Sequence, residues 1–149
     1  MAGKDKLSRG VRVQIDDSAG TPRDLSGDLV PGSVTGLGFD APEVEMTGES
    51  DTVANFLADR LVSEITMRFI ANNTATTGST TVLNGIVQKV GTVTVQIGSG
   101  GAAPTTGDLS FSGEFLCLGA KLVPDGSRYV HEVTFKPGSS TAPAWGTVA

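Results

Sequence analysis

Apolar and polar residues alternate with a period of two in segment after segment of this chain, and no repeated strand–helix alternation accompanies them. Residues 11–17 put Val11, Val13 and Ile15 on one face. Residues 43–47 set Val44 and Met46 against Glu43 and Glu45, and residues 64–70 set Ile65, Met67 and Phe69 against Glu64, Thr66 and Arg68. Residues 92–97 alternate strictly, and residues 128–136 gather Tyr129, His131, Val133 and Phe135 on one side. Successive strand side chains point to opposite faces, so each segment reads as a half-buried strand. Residues 109–123 form a longer strand, apolar on both faces from Phe115 onward, and Pro124-Asp125-Gly126 turns the chain back on itself. A parallel α/β sheet does not fit this order; an antiparallel sheet does. The turns it needs are supplied by 20 glycines and 7 prolines.

Helical spacing occurs twice. Val82, Leu83, Ile86, Val87 and Val90 share one helix face, with Ser79 or Thr80 placed to cap it and Gly91 just past its end. Val53, Phe56, Leu57 and Leu61 fall at i, i+3, i+4 and i+8, which predicts a short helical hook over residues 51–62. The expected fold is mainly β: an antiparallel β-sandwich or barrel with one flanking α-helix. Residues 1–10 form a polar arm and residues 11–149 a single β domain.

Little in the sequence points to chemistry. Residues 36–41 (GLGFDA) match the dinucleotide pattern only loosely and precede no helix, and residues 98–101 are glycine-rich with no Gly-Lys-Ser/Thr after them. There is no Gly-x-Ser-x-Gly elbow and no His/Cys cluster. His131 on an apolar strand face reads as a hydrogen-bonded core residue, and Cys117, the lone cysteine, as a small buried hydrophobe. Glu43 and Glu45 share a strand face and can be read as an acid/base pair, a Ca²⁺ site or, more simply, a solvated face. A non-enzymatic protein without metal or cofactor is expected. The net charge of −5 argues against tight nucleic-acid binding but lets a polyanion pass nearby. No apolar run is long enough to cross a membrane, and the N-terminus lacks an apolar signal core, so residence in a cytoplasm is expected.

The order of the pieces is informative. Asp24-Leu25-Ser26-Gly27 comes early, an acidic strand then enters the Thr47-Gly48-Glu49-Ser50 corner, and a helix precedes a Thr/Val strand. Phe111-Ser112-Gly113-Glu114 opens the long strand, and Trp145-Gly146-Thr147 lies near the end. In this order, from about residue 11 to residue 148, the chain resembles the tail tube proteins (major tail proteins) of long-tailed bacteriophages, although their frequent Thr-Thr-Phe-Gly-Asp corner is replaced here. The resemblance implies a virion structural protein, assembled in the host cytoplasm. Its copies form rings of six, stacked into a tube around a tape-measure protein, closed by a tail terminator and later traversed by DNA. On that reading Glu43, Glu45, Glu64, Glu114 and Glu132 face the lumen. Lys4, Lys6, Arg9, Thr76, Thr77, Ser99, Gly100 and Pro104 serve ring-to-ring contacts. The alternatives are a tail terminator or capsid decoration protein, then a carbohydrate- or surface-binding β-sandwich.

Overall fold

The computed structural model describes residues 10–98 and 101–149. Its elements are β1 (Val11–Asp16), β2 (Pro22–Asp24), a 3-10 turn (Ser26–Asp28), β3 (Glu43–Glu45), β4 (Phe56–Ala58), β5 (Ile65–Ile70), α1 (Ser79–Ile86), β6 (Val90–Ile97), β7 (Leu109–Asp125), β8 (Arg128–Pro137) and β9 (Ala144–Thr147). Seven strands form one antiparallel sheet in the order β2-β1-β6-β7-β8-β5, with β9 beside the first part of β7. Strands β3 and β4 pair only with each other. The architecture is the expected one, mainly β and antiparallel with a single helix against the sheet.

Period-two patterning decides which face is buried. Val13, Ile15, Val93, Val95, Phe111, Phe115, Val133, Phe135, Ile65, Met67 and Phe69 come from five adjacent strands and are all at most 2% exposed. Helix α1 adds Val82, Leu83 and Ile86 to this core, and the 3-10 turn and its flanks add Leu25 and Leu29. The opposite sheet face carries Gln14, Thr94 and Ser112 in one cross-strand row and Arg12, Gln96 and Ser110 in the next.

Strand β7 carries a register shift. Cys117 pairs with Phe135, but Gly119 pairs with Thr134, so Leu118 is an extra residue. Up to Cys117 the odd-numbered residues face the core; after the shift the even-numbered ones take that side, Ala120 packing on the core opposite Val133 and Leu122, 53% exposed, lying opposite His131. The two-faced apolar look of the strand's second half thus comes in part from a row, Phe115, Cys117 and Ala120, whose phase changes in the middle. Leu118 itself is 49% exposed.

The outer edge of β5 is not left open. Residues 29–40 run along it as a strap, with Val30 N–H donating to Arg68 O at 2.9 Å and Thr35 and Thr66 exchanging both backbone bonds at 3.0 and 3.1 Å. Gly36 makes the crossing possible: it sits at φ +85°, and a Cβ there would lie 1.8 Å from Glu64 O.

Four local expectations are corrected. The predicted hook over residues 51–62 is an extended hairpin: Phe56 and Leu57 belong to β4 and pair with Glu45 and Val44. Helix α1 ends at Ile86, with Val87 and Val90 36% and 50% exposed, and the left-handed residue after it is Gln88 (φ 69°) rather than Gly91, which lies in β6. The helix is preceded by Gly78, and neither Ser79 nor Thr80 caps it through its side chain. Instead the Asp28 carboxylate, brought from the 3-10 turn, accepts the Ser79 N–H at 3.3 Å. Finally, Tyr129 lies beyond the covered part of β8 and is 57% exposed, whereas Val130 on the opposite face is fully buried.

Candidate assembly surfaces

The hairpin of β3 and β4 is the least self-sufficient part of the molecule. Its root is fixed where Asp40 and Val62 exchange backbone hydrogen bonds at 2.8 Å each. Beyond the root, Glu43, Val44 and Glu45 pair with Ala58, Leu57 and Phe56, and Met46 N–H donates to Asn55 O at 2.7 Å. The corner is held by Gly48 N–H donating to Asp51 Oδ2 at 2.7 Å. Every residue from 39 to 62 is exposed. Val53 is 76% exposed, Leu61 58%, Leu57 57% and Met46 53%. A two-stranded ribbon with no covered face is marginal alone in water. This one bears a run of large apolar side chains of the kind that marks an interaction surface.

The arm also concentrates charge. Between positions 40 and 60 stand Asp40, Glu43, Glu45, Glu49, Asp51 and Asp59, against Arg60 alone. That is a net −5 over 21 residues, equal to the net charge of the whole chain; the other 128 residues hold ten charges of each sign.

At the root lies a groove of about 620 Å³ lined by Gly36, Leu37, Phe39, Leu61, Val62 and Pro137, with Glu64 and Lys136 at its rim. Phe39 meets the Phe111 ring edge-on at 5.8 Å, and Trp145 meets Phe111 from β9 at 4.8 Å. This aromatic trio anchors the arm's root to the sheet. The spacing of Phe39, Phe111 and Trp145 along the chain gives no hint of it.

The second surface is the polar sheet face. Thr94 and Ser112 hydroxyls lie 3.0 Å apart, Thr92 Oγ1 donates to Glu114 Oε1 at 2.6 Å, and Arg12 donates to Gln96 Oε1 at 3.2 Å. Carboxylates here have cationic neighbours: Arg68 lies 3.6 Å from Glu132 and 3.8 Å from Asp125, and Lys136 lies 3.5 Å from Glu64. The five glutamates singled out in the sequence thus divide between two places. Glu114, Glu132 and Glu64 belong to the polar sheet face, while Glu43 and Glu45 stand on the arm.

The contact residues expected in loops also divide. Thr76 and Thr77 are exposed just before α1, with Thr76 in a left-handed conformation (φ 70°). Pro104, in contrast, is buried within the subunit. Lys4, Lys6, Arg9, Ser99 and Gly100 lie outside the described residues.

Neither reactive side chain joins a site. Cys117 is 1% exposed in the core, and burial pushes its thiol pKa up. His131 is 3% exposed, its Nε2 lies 2.9 Å from Thr80 Oγ1, and burial pushes its pKa down, with the Ala120 backbone opposing more weakly. Among the described residues no three His, Cys, Asp or Glu side chains gather into a metal-holding group, and no helix is long and apolar enough to cross a membrane.

No family model matches the chain, and the curated proteins give no significant match. Solved structures do. A chain of the six-fold symmetrised anti-feeding prophage (AFP) baseplate superposes with a TM-score of 0.66 at 9% identity, covering 91% of both chains. A chain of the PVC extracellular contractile injection system in its extended sheath-tube complex gives 0.59 at 14% identity, covering 94% of this chain and 90% of the other. A chain of the PVC sheath/tube terminator gives 0.57 at 15% identity, covering 91% and 92%. Over nearly its whole length, this chain therefore shares its fold with chains found in contractile injection systems.

Proposed function

We propose that this chain is a structural subunit of a phage-type tail: a tube protein whose copies close into rings, six to a ring, that stack into a conduit for DNA. The observation that carries the reading is the arm, with every residue from 39 to 62 exposed and a row of large apolar side chains along it. Such a hairpin needs a partner surface, and a repeating assembly supplies one from an identical copy. The similar baseplate chain comes from a six-fold symmetrised assembly, which supports the ring number. In the assembled tail a tape-measure protein occupies the lumen and a terminator closes the tube. The role is structural rather than catalytic, and the protein resides in the virion tail.

The polar sheet face suits a lumen wall. Its rows are hydroxyls and amides apart from Arg12, which bonds to Gln96, and Glu132 and Glu64 are matched by Arg68 and Lys136. A wall of this kind offers a passing polyanion no unmatched basic stripe to hold it. On this reading Glu64, Glu114 and Glu132 belong to the wall, and Glu43 and Glu45 to the joint between copies. The second reading is a tail terminator, favoured by the likeness to a chain of the PVC sheath/tube terminator assembly. Electron microscopy of the purified protein separates the two: open-ended tubes of stacked rings support a tube protein, single rings that never stack support a terminator, and monomers at every concentration overturn both.

A further inference from the structure

We infer that β4 of one copy adds to the free edge of β7 in a second copy as an antiparallel strand, with Ala58 opposite Leu122. This rests on the ring-forming reading above and names the joint.

The two edges match in their backbone groups. Strand β6 ends its pairing with β7 at Leu116, and the last backbone bonds on that side join Cys117 to Gln88 and Lys89. From Leu118 to Pro124 no described residue pairs with β7 on that side, while β8 pairs with it on the other. Ala71 N–H donates to Tyr129 O at 3.0 Å, so Tyr129, and by strand parity His131, turn their backbone groups toward β5. Their partners Pro124 and Leu122 consequently turn theirs to the open side. Proline, with no N–H to leave unpaired, suits such an edge. On the arm, Asn55 O and Asp59 N–H are bonded to β3, so Phe56 and Ala58 point their N–H and C=O groups outward from β4. Both edges thus present backbone groups two residues apart, and an open strand edge is a template for another chain.

Side chains choose the register. With Ala58 opposite Leu122, Asp59 falls opposite Lys121 and Leu57 opposite Val123 on one face, and Phe56 falls opposite Pro124 on the other. Among the described residues neither Asp59 nor Lys121 has an ion-pair partner within its own subunit. Phe56, Leu57 and Leu122 are 47%, 57% and 53% exposed, and the joint covers all three. A shift that sets Phe56 opposite Leu122 brings Leu57 against Lys121 instead. The outer edge of β3 presents Glu43 and Glu45, and either register there leaves Lys121 facing Val44 or Met46.

The partner is a second copy because the chain's own arm points the other way. The strap and β5 meet at Leu29 with Phe69, Thr35 with Thr66 and Asp40 with Val62, and the arm carries that ladder outward through Glu43 and Ala58. Leu122 lies level with Phe69, two strands across. Ala58 stands eleven residues further along the ladder, about 36 Å at strand rise. A joint between two different surfaces of identical copies closes into a ring when its rotation permits.

The test uses the full chain. A Leu57→Cys variant and a Val123→Cys variant are purified separately, mixed, assembled and oxidised with copper phenanthroline. Disulfide-linked dimers of one variant with the other are expected, and neither variant alone should give them; the native Cys117, 1% exposed, serves as the internal control. Dimers of Leu57→Cys alone would overturn the inference in favour of an arm-to-arm joint. A Leu57→Cys/Val123→Cys chain that links to itself as a monomer would overturn it in favour of the chain's own edge. Rings or tubes in the micrographs without mixed dimers would overturn it while leaving the ring-forming reading standing. Particles that stay monomeric at every concentration would overturn that reading, and this inference with it. A charge swap tests the register. Asp59→Lys and Lys121→Asp should each raise the assembly concentration about fivefold, and the two together should restore it. No rescue by the pair would overturn the register.

Discussion

Thr80 Oγ1 and His131 Nε2 lie 2.9 Å apart and tie the first turn of α1 to the middle of β8. The imidazole is buried beneath the helix, so its neutral form is favoured in the folded state. The unfolded chain then binds a proton more readily than the folded one. Stability should therefore be fully present above the ordinary histidine pKa and should fall as pH drops through it toward the depressed folded value. Melting curves from pH 7.5 to 5 should show a steeper loss for the native chain than for His131→Gln, which cannot titrate. Parallel curves would mean that the histidine does not report on folding.

Asp28 caps the helix at long range. Its Oδ2 accepts the Ser79 N–H, and both oxygens accept from Asn72 Nδ2 at 3.2 and 3.0 Å. Asp28→Ala removes a carboxylate that is 6% exposed and leaves those donors buried with fewer partners. The expected cost is about 1–3 kcal/mol in urea unfolding. A loss under about 0.5 kcal/mol, the range of ordinary surface changes, would show that the loop rearranges to satisfy them.

Phe111 holds the arm's root to the sheet through Phe39 and Trp145. Phe111→Ala should cost about 3–5 kcal/mol, as large aromatic truncations in a packed core do. It should also raise hydrogen exchange at the Asp40 and Val62 amides, which bond across the root. If global stability falls and those two amides stay protected, the trio is core packing alone.

Surface substitutions on the arm should separate folding from assembly. Leu57→Glu changes a side chain that is 57% exposed, so the subunit's own stability should move by no more than about 0.5 kcal/mol. Light scattering should nevertheless show loss of higher-order particles. Normal assembly of this variant would remove the arm from the joint.

Gly36→Ala tests the strap over β5. The added methyl would meet Glu64 O at 1.8 Å at a φ that L residues rarely adopt. A left-handed non-glycine costs about 1–2 kcal/mol before any clash is counted. The melting temperature should drop by several degrees or more.

What the sequence revealed depended on burial. Val13, Ile15, Ile65, Met67 and Phe69 were legible because each alternates against a polar neighbour and each faces one common core. The second half of the arm was misread because periodicity records which face a chain buries, and the paired residues 43–58 bury none within their own subunit. Val53, Phe56, Leu57 and Leu61 fall at helical spacing there without a face to enforce it. Asp28 was invisible as a cap because it stands 51 residues from the amide it serves. The split among the five glutamates was equally hidden, since strand parity says which side a residue takes but not whether a cation waits opposite it.

The extra residue at Leu118 has a genetic corollary. Remove it and the ladder simply closes up: Cys117 stays opposite Phe135, Gly119 opposite Thr134 and Leu122 opposite His131. Loss of one residue should thus be tolerated here, whereas loss of one between Gly119 and Val123 with the extra residue kept would turn every later side chain of the strand to the other face. The bulge is a place where evolution can trim the β7–β8 hairpin by a single residue without exchanging inside for outside.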